Sequence, residues 1–393
     1  MTPTRAVIGG VGLTPATSPR RQTSSALELA AEAVHAALEH SGASASSLDG
    51  IVIGNIDGFE GTVLGARQVT RQLGLGVGAG GLPVTILNTG GTTGGNLVQV
   101  AARQVRAGDH ERVLCVGGST FFGSRDLQAA INTNSPMIVE QPLGMGAYHM
   151  GAFYPSAYAQ RHGTPVGDFA VSAVRDHEHA ARNPYAHLRN TLTEDDVAHA
   201  TPLSWPMTQA MVCPVSTGAN AVLVAAESQG QALRPTPVLI RAMGTSADPY
   251  LGGGKHDFAV MENLAILARR VYALADIRDP RAEIDVVEVF SPYAPMQPMQ
   301  LEALGFAPDG GGIELIRSGA TRRDGDLPVN VSGGPLCTNS GICGELAPYL
   351  WVALQLMGDA PPEMQVEGAR RGLAHGTGGT FFQFENLAIL EAL

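Results

Sequence analysis

The sequence predicts an α/β fold made of two similar halves with an insert between them. Short β-branched runs alternate with segments whose apolar residues recur at helical spacing, which is typical of βαβ units. A glycine-rich turn follows such a run twice, as Asn-Thr-Gly-Gly at 88–91 and Asn-Val-Ser-Gly-Gly at 330–334, and a helical segment follows each turn. The runs at 117–122 and 376–382 share a Gly-Gly and Phe-Phe pattern, so an internal duplication is expected.

In the first half, strands and helices alternate. Ser25 and Glu28 have the spacing of a capping box, and they open a helix that Gly42 closes. The other predicted helices cover 61–75 and 96–105. The predicted strands cover 5–9, 51–54, 83–87 and 112–116.

The second half repeats this order. Its predicted strands cover 237–240, 284–290, 328–332 and 376–382, and its helices cover 258–275 and 346–357. The predicted organisation is an N-terminal half at 1–123, an inserted loop or lid region at 124–205 and a C-terminal half at 206–393. Long inserts over an α/β core often form a substrate lid.

Composition narrows the function class. The chain of 393 residues is 44% hydrophobic and carries a formal net charge of −11, which argues against a general nucleic-acid or anionic-membrane surface. It has no apolar run of about 18 residues and no signal-peptide pattern, so we expect a cytoplasmic protein without a membrane span. The four cysteines lack the paired spacing of a metal site. Lys255, the single lysine, lies in a glycine-rich loop and makes a poor Schiff-base candidate.

The first glycine-rich turn is the main candidate site. A helix start presents backbone N–H groups, and glycine lets a substrate approach them closely, so such a turn suits an oxyanion. Catalytic nucleophiles often sit at this position, yet here Gly90 and Gly91 form the tip. We expect the hydroxyls of Thr92 and Thr93 to cap the following helix.

Five segments, in this order along the chain, resemble the thiolase superfamily, and in particular the sterol-carrier-protein-type thiolases described as lipid-transfer or acetyl-CoA acetyltransferase-like. They are residues 88–105, 176–186, 213–223, 300–306 and 330–334. The resemblance implies two βαβαβ-type halves with mixed five-stranded sheets. It also implies a coenzyme A thioester as substrate, with no other cofactor and no metal.

The catalytic positions depart from the family pattern. By the resemblance, Gly90 stands where the family has its acyl-accepting cysteine, and Ser340 stands where it has the activating histidine. Phe290 and Ser291 occupy the place of the residue that helps bind the thioester oxygen, whereas His375 keeps a histidine in the last glycine loop. Glycine has no side chain to carry an acyl group, so ping-pong acyl transfer through residue 90 is excluded.

The Gly-Gly turn resembles a subgroup without the cysteine, the aldolases of steroid side-chain degradation. These enzymes cleave a β-hydroxyacyl-CoA by a retro-aldol reaction and work with a small zinc-ribbon and OB-fold partner. Such chemistry needs an oxyanion cradle for an enolate rather than a nucleophile, and the backbones of Gly90, Gly91, Gly376 and Gly378 are the candidates. The subgroup has tyrosines near the positions that are Phe and Ser here, so Tyr293 is the candidate substitute.

Several side chains have both a catalytic and a structural interpretation. The catalytic candidates are His375, Ser340, Ser291, Tyr293 and Cys343. In the insert, Tyr148, His149 and Met150 are candidates for lining an acyl or pantetheine tunnel, and packing within the lid explains them equally well. His177 and His179 are two residues apart, which is a poor metal spacing on a helix, and we expect them on the surface.

Two other functions remain open at this point. The chain is a candidate for the non-catalytic member of a heteromeric thiolase or acyltransferase, with a cysteine-bearing sister chain. It is also a candidate acyltransferase in which Cys337 or Cys343 has replaced the lost nucleophile. The expected assembly is a homodimer, or a heterodimer with a thiolase-like chain.

Overall fold

The computed structural model describes residues 4–54, 73, 75, 81–119, 131–233, 236–250, 254, 257–339 and 341–393. The predicted helix at 61–75 lies almost entirely outside these residues, and so do Lys255 and Ser340. The strands are β1 (Ala6–Leu13), β2 (Gly50–Gly54), β3 (Val84–Leu87), β4 (Arg112–Ser119), β5 (Pro202–Ser204), β6 (Met207–Thr208), β7 (Gly218–Ala226), β8 (Val238–Ala247), β9 (Val286–Val289), β10 (Arg371–Gly378) and β11 (Phe384–Ala392).

Helices separate most of the strands outside the insert, but β10 leads directly into β11. They are α1 (Ala26–Ser41), α2 (Thr93–Ala107), α3 (Ala147–Gly151), α4 (Phe153–His162), α5 (Ala170–Ala180), α6 (Glu194–Ala198), α7 (Glu227–Leu233), α8 (Glu262–Ala275), α9 (Pro280–Glu283), α10 (Met296–Ala303), α11 (Gly312–Arg317), α12 (Gly334–Cys337) and α13 (Ile342–Met357). The predicted capping box is confirmed, because the Glu28 N–H donates to Ser25 Oγ at 3.2 Å and the Ser25 N–H donates to Glu28 Oε2 at 2.7 Å.

The sheet shows the duplication directly. Its nine strands, counted over the described residues, follow the order β3-β2-β4-β7-β1-β8-β11-β10-β9. Outward from the β1–β8 junction, the first half has β1, β7, β4 and β2, which are its first, fifth, fourth and second strands. The second half has β8, β11, β10 and β9, which hold the same places in that half. In both halves the first two of these pairs are antiparallel and the third is parallel. The third strand of the second half is reduced to a parallel bridge between Val329 and Val287, whereas β3 fills that place in the first half. The predicted thiolase-like α/β fold with mixed strand directions is confirmed, but among the described residues only the first half has five strands, and the second has four strands and the bridge.

One predicted boundary changes. We placed the start of the C-terminal half at residue 206, but β7 follows that point and pairs with β1 and β4 of the first half. Ala6 of β1 lies opposite Ala226 of β7 in this antiparallel pair. The insert therefore lies between β4 and β7 of the first half, and the second half begins with β8.

The two central helices form the middle of the core. Helices α2 and α13 pack against each other, and their apolar residues share one cluster with inward-facing residues of both sheet halves. Helix α1 covers the other face of the first half, and α8 covers the other face of the second half. This layering places the N-termini of α2 and α13, each preceded by a glycine-rich turn, close together.

Packing between the central helices should dominate stability. Leu97 on α2 is fully buried in the shared cluster, so Leu97→Ala should lower the free energy of unfolding by about 2–5 kcal/mol, measured by urea denaturation. Leu274→Ala on α8 is the matched control, because Leu274 is 60% exposed, and it should change the value by less than about 0.5 kcal/mol. Equal effects of the two substitutions would contradict this description of the core.

Candidate active site

A cavity of about 190 Å³ lies where the first glycine turn meets the end of β10. Gly91 lines it from the turn before α2, and Gly378 lines it from β10. Glu345 from the first turn of α13 lines it as well. The cavity is therefore built at the N-termini of both central helices, where backbone N–H groups and the helix dipoles favour negative charge.

Contact between two glycines joins the halves at this cavity. A Cβ atom built on Gly378 would lie 2.5 Å from Gly91 Cα, and one built on Gly91 would lie 2.8 Å from Gly378 Cα. Real Cβ contacts are never this short, so any larger residue at either position must push the two loops apart. Glycine at both positions is thus a packing requirement of the site.

The turn itself is fixed by its own side chains. The Gly90 N–H donates to Asn88 Oδ1 at 3.1 Å, so this predicted oxyanion donor already has a partner. Thr93 Oγ1 donates to Gly90 O at 2.7 Å and accepts from the Thr89 N–H at 2.9 Å. The prediction that Thr92 and Thr93 cap α2 was wrong, because their hydroxyls bond to carbonyls within the turn.

Neither central helix has a side-chain cap within the described part of the chain. Thr92 at the N-cap of α2 and Gly341 at that of α13 make no such hydrogen bond. Gly90 has a φ of 62°, and a Cβ atom there would meet no described atom within 4 Å. The space next to Gly90 is therefore open, and glycine has no side chain to fill it.

Glu345 is a residue that the sequence patterns did not single out. It is 2% exposed, and neither of its carboxyl oxygens has a hydrogen-bond partner among the described residues. Burial raises the pKa of Glu345 well above its ordinary value, and the charge of Glu385 raises it further. The sequence did contain a signal for this residue, because Glu345 is the only charged residue in the largely apolar sequence of α13.

The tyrosines that were predicted for the site reach the cavity. Tyr148 of α3 and Tyr293 both line it. The ring of Tyr293 packs edge-on against Phe382 at a centroid distance of 5.5 Å, and Gly151 approaches the ring so closely that a Cβ there would lie 2.5 Å from it. Burial raises the pKa of Tyr293 well above its usual value, so its hydroxyl keeps its proton.

A thiol also faces the cavity, but not one of the two that were predicted. Cys213 lines it together with Asn339, whose side-chain amide donates to the sulfur at 3.0 Å. Burial raises the pKa of Cys213 to about 11, which leaves it a thiol at neutral pH. Cys337 is fully buried in the core, and the side chain of Cys343 lies outside the described part of the structure.

Two predicted catalytic residues are buried and have hydrogen-bond partners. His375 on β10 is fully buried, and its Nε2 lies 2.8 Å from Glu385 Oε2. Ser291 is fully buried, and its hydroxyl donates to Gln300 Oε1. Neither is among the described residues that line the cavity, and a catalytic role for either stays a prediction.

Other predicted residues lie elsewhere. Gly376 sits within β10, where a Cβ would lie 2.8 Å from the side-chain amide of Asn386. Gly90 lines an adjoining open cavity of about 650 Å³, which shares Asn134 and Gly379 with the first. In the insert, Met150 is fully buried and His149 lines a separate surface cavity beside exposed Trp205.

The surface prediction for two histidines was wrong. His177 and His179 on α5 are 4% and 5% exposed. Their Nδ1 atoms lie 2.8 Å from Asn190 O and 3.0 Å from Asn330 O, respectively. Burial lowers the pKa of His179 to about 3, so this histidine is neutral and ties the insert to the second half.

The described residues form neither a metal centre nor a membrane-spanning helix. Within the described residues, no group of three or more His, Cys, Asp or Glu side chains is arranged to hold a metal ion. The described helices also include none that is both long and apolar enough to cross a bilayer.

The fold and the cavity define a duplicated α/β protein whose site lies between the glycine loops of its two halves. The chain belongs to the thiolase superfamily, because residues 7–195 match the thiolase N-terminal domain and residues 249–392 match the thiolase C-terminal domain-like family. The predicted resemblance to thiolases of the sterol-carrier-protein type is confirmed.

Three relatives illustrate the range of the family. The acetyl-CoA acetyltransferase of Methanothermobacter thermautotrophicus is 28% identical over 90% of this chain and 91% of its own length. Sterol carrier protein 2 of Bos taurus is 27% identical over 95% of this chain and 70% of its own length. The 17-hydroxy-3-oxo-4-pregnene-20-carboxyl-CoA lyase of Mycobacterium tuberculosis is 26% identical over 84% of this chain and 86% of its own length.

A solved structure has the same fold. The Ltp2-ChsH2(DUF35) aldolase superposes with a TM-score of 0.82, covering 99% of this chain and 98% of that chain at 24% identity.

The glycine contact can be tested by adding one carbon. Gly378→Ala should destabilise the protein by about 1–3 kcal/mol, because its Cβ would be forced against the backbone of Gly91. Gly167→Ala is the matched control, since a Cβ there meets nothing within 4 Å, and it should change the free energy of unfolding by less than about 0.5 kcal/mol. Chemical denaturation of both variants measures the difference, and a Gly378→Ala variant as stable as the control would rule out the close contact.

Proposed function

We propose that the chain binds a CoA thioester in this cavity and cleaves a β-hydroxyacyl-CoA by a retro-aldol reaction, without a covalent intermediate. The observation that carries the proposal is the meeting of two uncapped helix N-termini at a cavity whose turn offers no nucleophile. Such an electropositive cradle stabilises the enolate that forms when the bond between Cα and Cβ breaks. The backbones of Gly91 and Gly378 would lie against the thioester oxygen.

The described cysteines disfavour the covalent alternative. Cys213 reaches the cavity, but its raised pKa keeps it protonated and therefore weakly nucleophilic. Cys337 is buried among apolar residues, and burial raises its pKa as well. An acyltransferase mechanism has no thiolate to accept the acyl group at either position.

The relatives support the same reaction class. The acetyltransferase and the lyase among the relatives support the proposal that this chain acts on CoA thioesters. The lyase and the aldolase neighbour favour C–C bond cleavage over acyl transfer. The name of the aldolase structure gives two components, which supports a heteromeric partner for this chain. We propose that the partner is a small zinc-ribbon and OB-fold chain or a second thiolase-like chain. A cytoplasmic location stays a prediction.

The proposal predicts cleavage without an adduct. Incubation with a panel of β-hydroxyacyl-CoA thioesters, alone and with a partner encoded nearby, should release acetyl-CoA or propionyl-CoA and a carbonyl product, detected by mass spectrometry. The intact mass of the protein should stay unchanged after exposure to acyl-CoA, because no described thiol in the cavity is ionised.

An acyl adduct on Cys213 would contradict the non-covalent mechanism. Absence of cleavage, combined with activity that appears only when a cysteine-bearing sister chain copurifies, would instead support the role of a non-catalytic subunit.

A further inference from the structure

The buried carboxyl of Glu345 has no structural role that its contacts explain. Both oxygens lie inside the protein, and no described residue donates a hydrogen bond to them or accepts one from them. A buried polar group without partners destabilises the folded state, and native proteins keep few of them. The rest of α13 carries no charge, so no ion pair within the helix compensates for it.

Glu345 lines the cavity that we propose as the active site. Glu345 Oε1 lies 3.2 Å from the place that a Cβ on Gly91 would occupy, so the glycine leaves the space in front of the carboxyl free. The same cavity is bounded by Gly378 on the facing loop. A thioester whose oxygen rests on the glycine loops therefore places its Cα and Cβ beside this carboxyl.

Three other groups in the cavity are poorly suited to move a proton. The Thr377 hydroxyl donates to Phe384 O at 3.2 Å, and the thiol of Cys213 accepts from the Asn339 amide. Burial raises the pKa of Tyr293 well above its ordinary value, so its phenol is a weak acid. Glu345, by contrast, has two carboxyl oxygens without a hydrogen-bond partner among the described residues, and burial raises its pKa well above the ordinary value, which makes its carboxylate a stronger base.

We propose that Glu345 is the catalytic residue that transfers the proton in the C–C bond cleavage. The inference rests on the proposed function. The Glu345 carboxylate takes the proton of the β-hydroxyl, the Cβ–O bond becomes a carbonyl, and the electron pair of the Cα–Cβ bond passes to the enolate of the thioester. The carboxylic acid then returns the proton to Cα, so the products are a carbonyl compound and a shortened acyl-CoA, with no other reactant consumed.

The test uses a half-reaction that needs no cleavable substrate. Wild-type protein incubated with acetyl-CoA in D₂O should exchange the α-hydrogens, measured by mass spectrometry, because the carboxylate removes and returns a proton at Cα. Glu345→Gln keeps the size of the side chain but cannot accept the proton, so exchange and cleavage should both fall by at least about 100-fold. Glu345→Asp, which keeps a carboxyl, should retain more exchange than Glu345→Gln.

Stability separates a catalytic role from a structural one. Glu345→Gln should unfold at the same temperature as the wild type or a higher one, because it removes a desolvated ionisable group that has no partner. Glu363→Gln, at an exposed position, is the matched control and should leave exchange, cleavage and stability unchanged. Loss of exchange together with a lower unfolding temperature would give Glu345 a structural role and overturn the proposal.

The outcomes also separate this inference from the proposed function. Exchange that depends on Glu345, without cleavage of any β-hydroxyacyl-CoA, would support the residue's role and contradict the retro-aldol reaction. Cleavage that persists in Glu345→Gln within about threefold of the wild type would overturn the inference and leave the reaction supported. Wild-type protein that catalyses neither reaction, with or without a partner chain, would contradict both.

Discussion

The contact between the backbones of Gly91 and Gly378 is the constraint on which the candidate site depends. Each glycine belongs to a different half, and the two halves meet here because α2 and α13 pack against each other in the core. Side chains at these positions would separate the loops. With glycine at both, two helix N-termini converge on one small cavity, and their backbone groups supply the positive potential that an enolate requires.

The same architecture explains why the missing nucleophile does not imply a missing function. A duplicated α/β core keeps its two central helices whatever residue stands at position 90, so the electrostatic part of the site does not depend on a nucleophile there. What the site then needs is a group that moves protons. Glu345 is a buried carboxyl without a hydrogen-bond partner among the described residues, and burying such a group costs stability.

Local signals predicted the parts of the fold that are fixed locally. The capping box of α1, the closing Gly42 and the glycine turn before α2 all follow from short-range backbone chemistry. Strand β7 escaped prediction because its sequence of small and apolar residues has no alternation, and its place between β1 and β4 depends on pairing across about 200 residues. The buried state of His177 and His179 likewise depends on the second half, which packs over α5.

For the site, sequence reasoning identified the loops better than the side chains. Gly91, Gly378, Tyr148 and Tyr293 do meet in the cavity. Resemblance and side-chain chemistry suggested His375 and Ser291, which do not line the cavity and have buried contacts with Glu385 and Gln300; such tertiary contacts leave no periodic signal in the sequence. Glu345 was visible as a single carboxylate in an apolar helix, yet only the fold shows that it faces the glycine turn.

The most direct measurement is a crystal structure with a β-hydroxyacyl-CoA analogue that keeps the thioester carbonyl and the β-hydroxyl and is not cleaved. The account predicts that the acyl oxygen lies within hydrogen-bond distance of the backbone at Gly91 and Gly378. It also predicts that the β-hydroxyl lies within about 3.2 Å of a Glu345 carboxyl oxygen. An acyl group bound instead in the surface cavity beside Trp205, or one that places only Cys213 near the acyl carbon, would contradict it.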